Sequence, residues 1–243
     1  MSLYEKVRAL YEGAFAGEDA QFTDALFDAY FPQALRVVIE NGQPVSMLFS
    51  IPYPVVIAGK PQTAHYLYGV ATDPAHRGKG HARALIAAEA ARYPVFLRPM
   101  SESLFDFYAR AGMKPFSPIT VTHGDAAASA ALPTPRALTP AAYLALRDVL
   151  APTPHCRMTE AFLRVAVTTG GTVGLGADCA ALYDRVGDTV IFKEWWGNAD
   201  FAPHMAAYLG AARYELRRFC ADGVPFGVMS GLPQETLFLA AMD

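Results

Sequence analysis

The segment Val70-Ala71-Thr72-Asp73-Pro74-Ala75-His76-Arg77-Gly78-Lys79-Gly80-His81-Ala82-Arg83 combines glycine, cationic side chains and a change of periodicity. An apolar strand stops at Asp73-Pro74, two glycines turn the backbone, and a helix opens at Gly80. Glycines accept positive φ and let a ligand come close to the main chain. A helix start offers N–H groups without intrahelical partners and the positive end of a dipole. With Lys79 and Arg83 beside them, these features suit a phosphate. A nucleotide P-loop is excluded, because His81 follows Gly80 where that loop continues with Lys and then Ser or Thr. The dinucleotide fingerprint is excluded too, because Arg83 stands where its third glycine belongs.

One further pattern fits. Arg77-x-x-Gly80-x-Ala82 resembles Arg/Gln-x-x-Gly-x-Gly/Ala, the pyrophosphate loop of the GNAT N-acetyltransferase superfamily, and Pro74 stands where that family often carries proline. Downstream, Ser101-x-x-Leu104-x-x-x-Tyr108-x-x-x-Gly112 resembles the family's Asn-x-x-Ala-x-x-x-Tyr-x-x-x-Gly helix beside the cofactor thiol. The resemblance covers residues 3–120. It implies acetyl-CoA as donor and direct attack of an acceptor amine on the thioester. It implies that the main chain at Val70, Ala71 and Thr72 holds the pantetheine arm and polarises the thioester carbonyl. Arg77, Gly78, Lys79, Gly80, His81, Ala82 and Arg83 would take the pyrophosphate, and Ser101 would add a cofactor contact. Tyr108 falls at the family's general-acid position and would protonate the departing thiolate; the competing reading packs it beside Leu104 and Phe105. His81 reads either as a phosphate or adenine contact or as a solvated helix-start residue.

Two departures stand out. Ser101 replaces the usual Asn. Tyr66 occupies the strand position where many members carry a Glu base, and a neutral phenol is a poor base at pH 7. Deprotonation of the acceptor then falls to water, to His65 or to a carboxylate from elsewhere. Some Eis-type aminoglycoside acetyltransferases use the C-terminal carboxylate, which here is that of Asp243.

The elements that must position these residues read ααβββαβα over the first half. Leu3, Val7, Leu10, Tyr11 and Phe15 share one helix face, and Phe22, Leu26, Phe27 and Tyr30 another. Strands follow at 34–40, 45–51 and 65–72, with a hairpin turn at Asn41-Gly42. A helix from Gly80 to 91, a short strand at 94–98 and a helix at 101–111 capped by Gly112 complete it. Residues 123–139, rich in Ala, Pro and Thr, read as a linker. The second half begins a helix at Thr139-Pro140 and a further one at 158–168. A hairpin turns at Gly187-Asp188, a helix covers 199–211, and strands run 213–220, 224–229 and 236–242. His155-Cys156 reads as loop. Alternation sends one of Trp195 and Trp196 inward and the other outward, toward core or an acceptor pocket. The expected architecture is therefore an α/β mixed-sheet GNAT domain over 1–122, a linker over 123–139, and a diverged GNAT-like half over 140–243. That second half lacks a pyrophosphate loop, so one cofactor per chain is expected, and its role would be to shape the acceptor site.

Hydrophobic residues make up 53% of the 243 and charged residues 18%, which provides for a sizeable core and excludes disorder. A net charge of −3, with no basic run beyond Arg217-Arg218, excludes a nucleic-acid or anionic-membrane partner. Cys156, Cys179 and Cys220 are far apart and in no metal-ligand spacing, so no metal is expected. The N-terminus reads as an amphipathic helix and not a signal peptide, and no apolar run reaches membrane-span length, so a cytoplasmic protein is expected. The acceptor is a small-molecule or peptide amine. A non-catalytic acyl-CoA-binding protein and a tandem transferase using another acyl donor stand as alternatives.

Overall fold

The computed structural model describes residues 1–238. The chain runs α1 (Leu3–Ala14), α2 (Ala20–Tyr30), β1 (Leu35–Glu40), β2 (Gln43–Ile57), β3 (Lys60–Thr72), α3 (His81–Ala90), β4 (Val95–Leu97) and α4 (Ser103–Arg110). It continues with β5 (Lys114–Asp125), β6 (Arg136–Ala137), α5 (Pro140–Leu150), β7 (His155–Cys156), α6 (Glu160–Ala166), β8 (Gly170–Leu175), β9 (Cys179–Val186), β10 (Thr189–Gly197), α7 (Ala202–Tyr208), β11 (Arg213–Phe219) and β12 (Val224–Ser230). Two units emerge. The first comprises Met1–Val55, Pro61–Pro115 and Gly227–Gln234, and the second Val56–Lys60, Phe116–Phe226 and the chain from Glu235 onward.

In the first unit the expected ααβββαβα order is observed. Ser2 and Glu5 close a capping box on α1, with Glu5 Oε2 accepting from the Ser2 N–H at 2.6 Å. Val7 and Tyr11, four residues apart, place one stripe of α1 in the core. The carboxylate of Asp19 caps α2 by accepting from the N–H groups of Gln21 and Phe22. Asn41 and Gly42 both take positive φ (51° and 73°), the turn that suits the twist of a two-residue hairpin between β1 and β2. The strand expected at 45–51 is longer, for β2 runs on to Ile57. β3 and β4 pair in parallel through α3, and the short β4 is flanked on its other side by the antiparallel end of β12.

The second unit repeats this logic. β8, β9 and β10 are antiparallel neighbours, α7 carries the chain over to β11 parallel to β10, and β5 pairs antiparallel to β11. Each unit therefore holds three antiparallel strands, a helical crossover to a parallel strand, and an antiparallel fifth strand.

Four local features differ from expectation. β5 extends through Asp125 and β6 lies at Arg136–Ala137, so both ends of the expected linker carry strand. β8 went unread because Gly170, Gly171 and Gly174 dilute its pattern; a Cβ on Gly170 would meet the Tyr183 carbonyl oxygen at 1.8 Å. His155-Cys156 is a buried strand. The strand expected at 236–242 is seen only as a bridge from Leu237 to His155, and residues 239–243 lie outside the described part.

Trp195 and Trp196 do point to opposite faces, yet both are buried, because each face of β10 is covered by a helix. Trp195 joins Met205 and Ala206 of α7 in the core of this unit. Trp196 lies under the Arg147 guanidinium of α5, 5.3 Å from its ring. Arg147 is buried and pairs with buried Glu194 at 2.8 Å, while the Tyr143 hydroxyl donates to the same carboxylate. Removing one partner of such a pair would leave a bare charge in the interior.

Candidate functional site

The loop after β3 is shaped by short-range bonds. The Asp73 carboxylate accepts from the Ala75 N–H at 2.9 Å and faces His76 Nδ1 at 3.0 Å, tightening a single turn over Pro74–His76. Arg77 Nε returns to the Thr72 carbonyl at 3.2 Å. Gly78 and Gly80 then take φ of 77° and 85°, which L side chains rarely adopt. Gly80 is the N-cap of α3 and brings no capping side chain. The first-turn N–H groups of α3 are thus left for an anion. On the strand side, Ser46 Oγ donates to the Ala71 carbonyl at 3.0 Å and lies 2.9 Å from Thr72 Oγ1.

This loop forms one wall of a cleft of about 740 Å³ within the first unit. Val70, Ala71, Thr72, Arg77, Gly78, Lys79, Gly80, His81, Ala82, Arg83 and Tyr108 all line it. So do Ala14 and Phe15 from the end of α1, and Met100, Leu104, Phe107 and Arg110 around α4. Its cations are Arg77, Lys79, Arg83 and Arg110, and no carboxylate is among the lining residues described. Glu40 stands behind the loop, 3.2 Å from His81 Nε2 and 3.6 Å from His76 Nε2. A cationic, amide-rich end and an apolar wall of Phe15, Leu104 and Phe107 suit a ligand with phosphates at one end and a long neutral arm.

Tyr108 is 6% exposed, and burial pushes its phenol up to about 12. It is therefore a hydrogen-bond donor at any ordinary pH.

Ser101 is not among the lining residues. It is exposed, its hydroxyl is 3.0 Å from that of Ser103, and its neighbour Met100 takes the wall position. His65 lies apart from the cleft, buried and stacked on Tyr93. Its Nδ1 is 2.8 Å from Ser50 Oγ, while Ser50 donates its only proton to Glu89 and Arg36 Nε holds Glu89 at 2.7 Å. Donor counting makes His65 the Nδ1–H tautomer. Burial lowers its pKa despite the neighbouring Glu89. Tyr66 is buried against Tyr53 and Phe96. Asp243 lies outside the described residues. Ala14 and Phe15 were missed as wall residues because Phe15 shares the apolar face of α1 and reads as core. Among the described residues no cluster of His, Cys, Asp or Glu could hold a metal ion, and no helix is long and apolar enough to cross a membrane.

Comparison with known proteins bears on this geometry. Residues 2–115 match the model of the acetyltransferase (GNAT) domain. No curated protein sequence matches the chain. Among solved structures, a GCN5-related N-acetyltransferase from Anabaena variabilis superposes with a TM-score of 0.71 at 14% identity, over 93% of this chain and 69% of that one. A conserved protein from Enterococcus faecalis, described as a probable N-acyltransferase, gives 0.70 at 14% identity over 93% and 69%. Eis1 from Mycobacterium abscessus gives 0.62 at 13% identity over 97% and 71%. At these identities the likeness establishes the fold, and it extends through both halves of the chain.

Proposed function

We propose that this protein, whose residues 2–115 match the model of the acetyltransferase (GNAT) domain, is an N-acetyltransferase moving an acetyl group from acetyl-CoA to an amine. The observation that carries the proposal is the cleft, which joins an uncapped helix start and its cations to the strand at Val70–Thr72 and to buried Tyr108. The catalytic work is assigned to residues 1–122, and the acceptor to small-molecule or peptide amines.

Acetyl-CoA supplies an activated thioester. The Arg77–Arg83 segment would hold its pyrophosphate through main-chain N–H groups, with Lys79 and Arg83 adding charge. The main chain at Val70–Thr72 would bind the pantetheine arm and stabilise charge on the carbonyl oxygen. The acceptor nitrogen forms a C–N bond as the C–S bond breaks, and the nitrogen's extra proton leaves to a base. Tyr108 donates to the departing sulfur. That no carboxylate lines the cleft among the described residues favours a second reading, a protein that binds acyl-CoA without turnover.

Calorimetric titration of acetyl-CoA into the wild type and Gly80→Val tests the proposal. A Cβ at Gly80 meets nothing within 4 Å, so the variant has room to fold, but its φ is strained and its branches project where the ligand's phosphates must approach. Affinity is expected to fall at least about 10-fold in a folded variant, since one lost charge-assisted contact is worth about 1.5–3 kcal/mol. Equal affinity in both proteins would remove the loop from the binding site. Turnover with an amine panel separates transfer from binding alone.

A further inference from the structure

An amine is protonated at neutral pH and must lose a proton before or during attack. Among the described residues the cleft wall carries cations and a phenol but no carboxylate, and the strand position where the family resemblance would place one is Tyr66. A carboxylate is nevertheless held close by. Glu18 lies in the link between α1 and α2, half-buried, with its N–H on the Phe15 carbonyl at 3.2 Å. Its side chain accepts from two phenols. Tyr11 of α1 donates to Oε2, and Tyr68 of β3 donates to Oε1 at 3.1 Å.

One of these anchors touches the cleft wall. The Tyr11 ring packs, tilted, against Phe15, which lines the cleft, with centroids 4.7 Å apart. The same ring lies on the backbone of Gly69, where an added Cβ would come within 2.9 Å of it. Gly69 directly precedes Val70, at the end of the lining strand farthest along the chain from the phosphate loop. Through Tyr11, Glu18 is thus linked to Phe15 of the wall and to the Val70 end of the lining strand, the end away from the phosphate loop along the chain, which is the side for a reacting acyl group if the phosphates occupy the loop.

The electrostatics are unusual for a carboxylate so placed. No Lys, Arg or His makes an ion pair with Glu18 among the described residues. The groups facing it are Tyr11 from α1, Tyr68 with Tyr66 behind it from β3, and the Thr23 hydroxyl from α2. Burial drives both phenols upward, so they remain neutral donors. Burial also raises Glu18, and the hydrogen bonds from Tyr11, Tyr68 and Thr23 offset part of that. A carboxylate without a countercharge, raised by burial and held by neutral donors, is suited to receive the proton of an ammonium.

We propose that Glu18 is the general base that takes the proton of the acceptor amine, with Tyr11 and Tyr68 as its positioning residues. The step is balanced: the proton passes from nitrogen to the Glu18 carboxylate as the C–N bond forms and the C–S bond breaks, and it leaves to solvent afterwards. The proposal rests on the acetyl-transfer reading above, and its test separates the two. Acetyl-CoA binding and the pH dependence of kcat/KM are measured for the wild type, Glu18→Gln and Tyr68→Phe with propylamine, spermidine, lysine and an aminoglycoside as acceptors. Glu18→Gln is expected to bind acetyl-CoA as the wild type does, to lose on the order of 10²-fold in kcat/KM for the amine, and to lose the acid limb of the profile. Tyr68→Phe removes a bond that favours the charged carboxylate, so the acid limb should move to higher pH, an effect that packing alone would not produce. If Glu18→Gln does not fold, that displacement decides the matter. An unchanged rate and acid limb in Glu18→Gln, an unmoved limb in Tyr68→Phe, or a wild type that binds acetyl-CoA but acetylates none of the amines overturns the assignment. A wild type that does not bind acetyl-CoA overturns the acetyl-transfer reading itself.

Discussion

Tyr108 shows how burial selects among the roles open to one side chain. At a pKa of about 12 its hydroxyl stays protonated, so it can donate and cannot act as base. Complete proton transfer to a thiolate, whose conjugate acid has a pKa of about 8.5, would be uphill by about 3 to 4 units. Its contribution in the proposed reaction is therefore a hydrogen bond that strengthens as negative charge gathers on sulfur, a transition-state interaction. Tyr108→Phe is expected to lower kcat on the order of 10²-fold with the KM for acetyl-CoA little changed. Steady-state kinetics with saturating amine reads this directly. A variant with full kcat would assign the residue to packing.

At the scale of elements, β3 does the most to build the site, and it does so by departing from regularity. Gly69 sits inside the strand at φ 61°, and the Tyr11 ring occupies the space a side chain would need. The position is closed to other residues on two counts, backbone strain and overlap. Gly69→Ala is expected to cost about 1–3 kcal/mol in urea unfolding. It should also raise the KM for amine more than that for acetyl-CoA, because it displaces Tyr11 and with it Glu18. Wild-type stability in this variant would mean that α1 can shift off the strand freely. Gly78 and Gly80 differ in kind: their added Cβ atoms meet nothing, so only φ and the ligand's approach require glycine there.

Over the whole molecule, acid is expected to destabilise the fold through the first unit's buried network. Burial lowers the pKa of His65, against the pull of Glu89, below its ordinary 6.5. For Glu89 burial alone would raise the value. The Ser50 hydroxyl and the Arg36 guanidinium outweigh it, so the carboxyl falls below 4.5. Both folded values lie below the unfolded ones, so the unfolded chain binds more protons as pH falls. Stability is then lost in two stages, below about 6.5 for His65 and below about 4.5 for Glu89. Glu18, raised by burial, acts in the opposite sense and loses its contribution as pH rises. Thermal unfolding should give a lower Tm at about pH 5 than at about pH 7.5, and His65→Gln should flatten that difference. An equal difference in both proteins would mean that other groups control acid stability.

What the sequence determined by itself is what short-range chemistry dictates. The loop from Arg77 to Arg83, the turn at Asn41-Gly42, the Thr139 cap on α5 and the ααβββαβα order all follow from residue types a few positions apart. The apolar faces of α1 and α2 are of the same kind. Tertiary structure decided what depends on partners distant in the chain. Trp195 and Trp196 are both buried because α5 and α7 cover opposite faces of one strand, which no periodicity in β10 records. β5 and β12 take their neighbours from segments far away, and β8 is held by pairing that outweighs its glycines. His65 was drawn into a network with Ser50 and Glu89, 15 and 24 residues away. Glu18 carries no local signal, being a single acid in a short link. Its significance arises only when Tyr68, 50 residues on, folds back to meet it, because burial and hydrogen bonding across the chain, and not its neighbours in sequence, set the chemistry of a carboxylate.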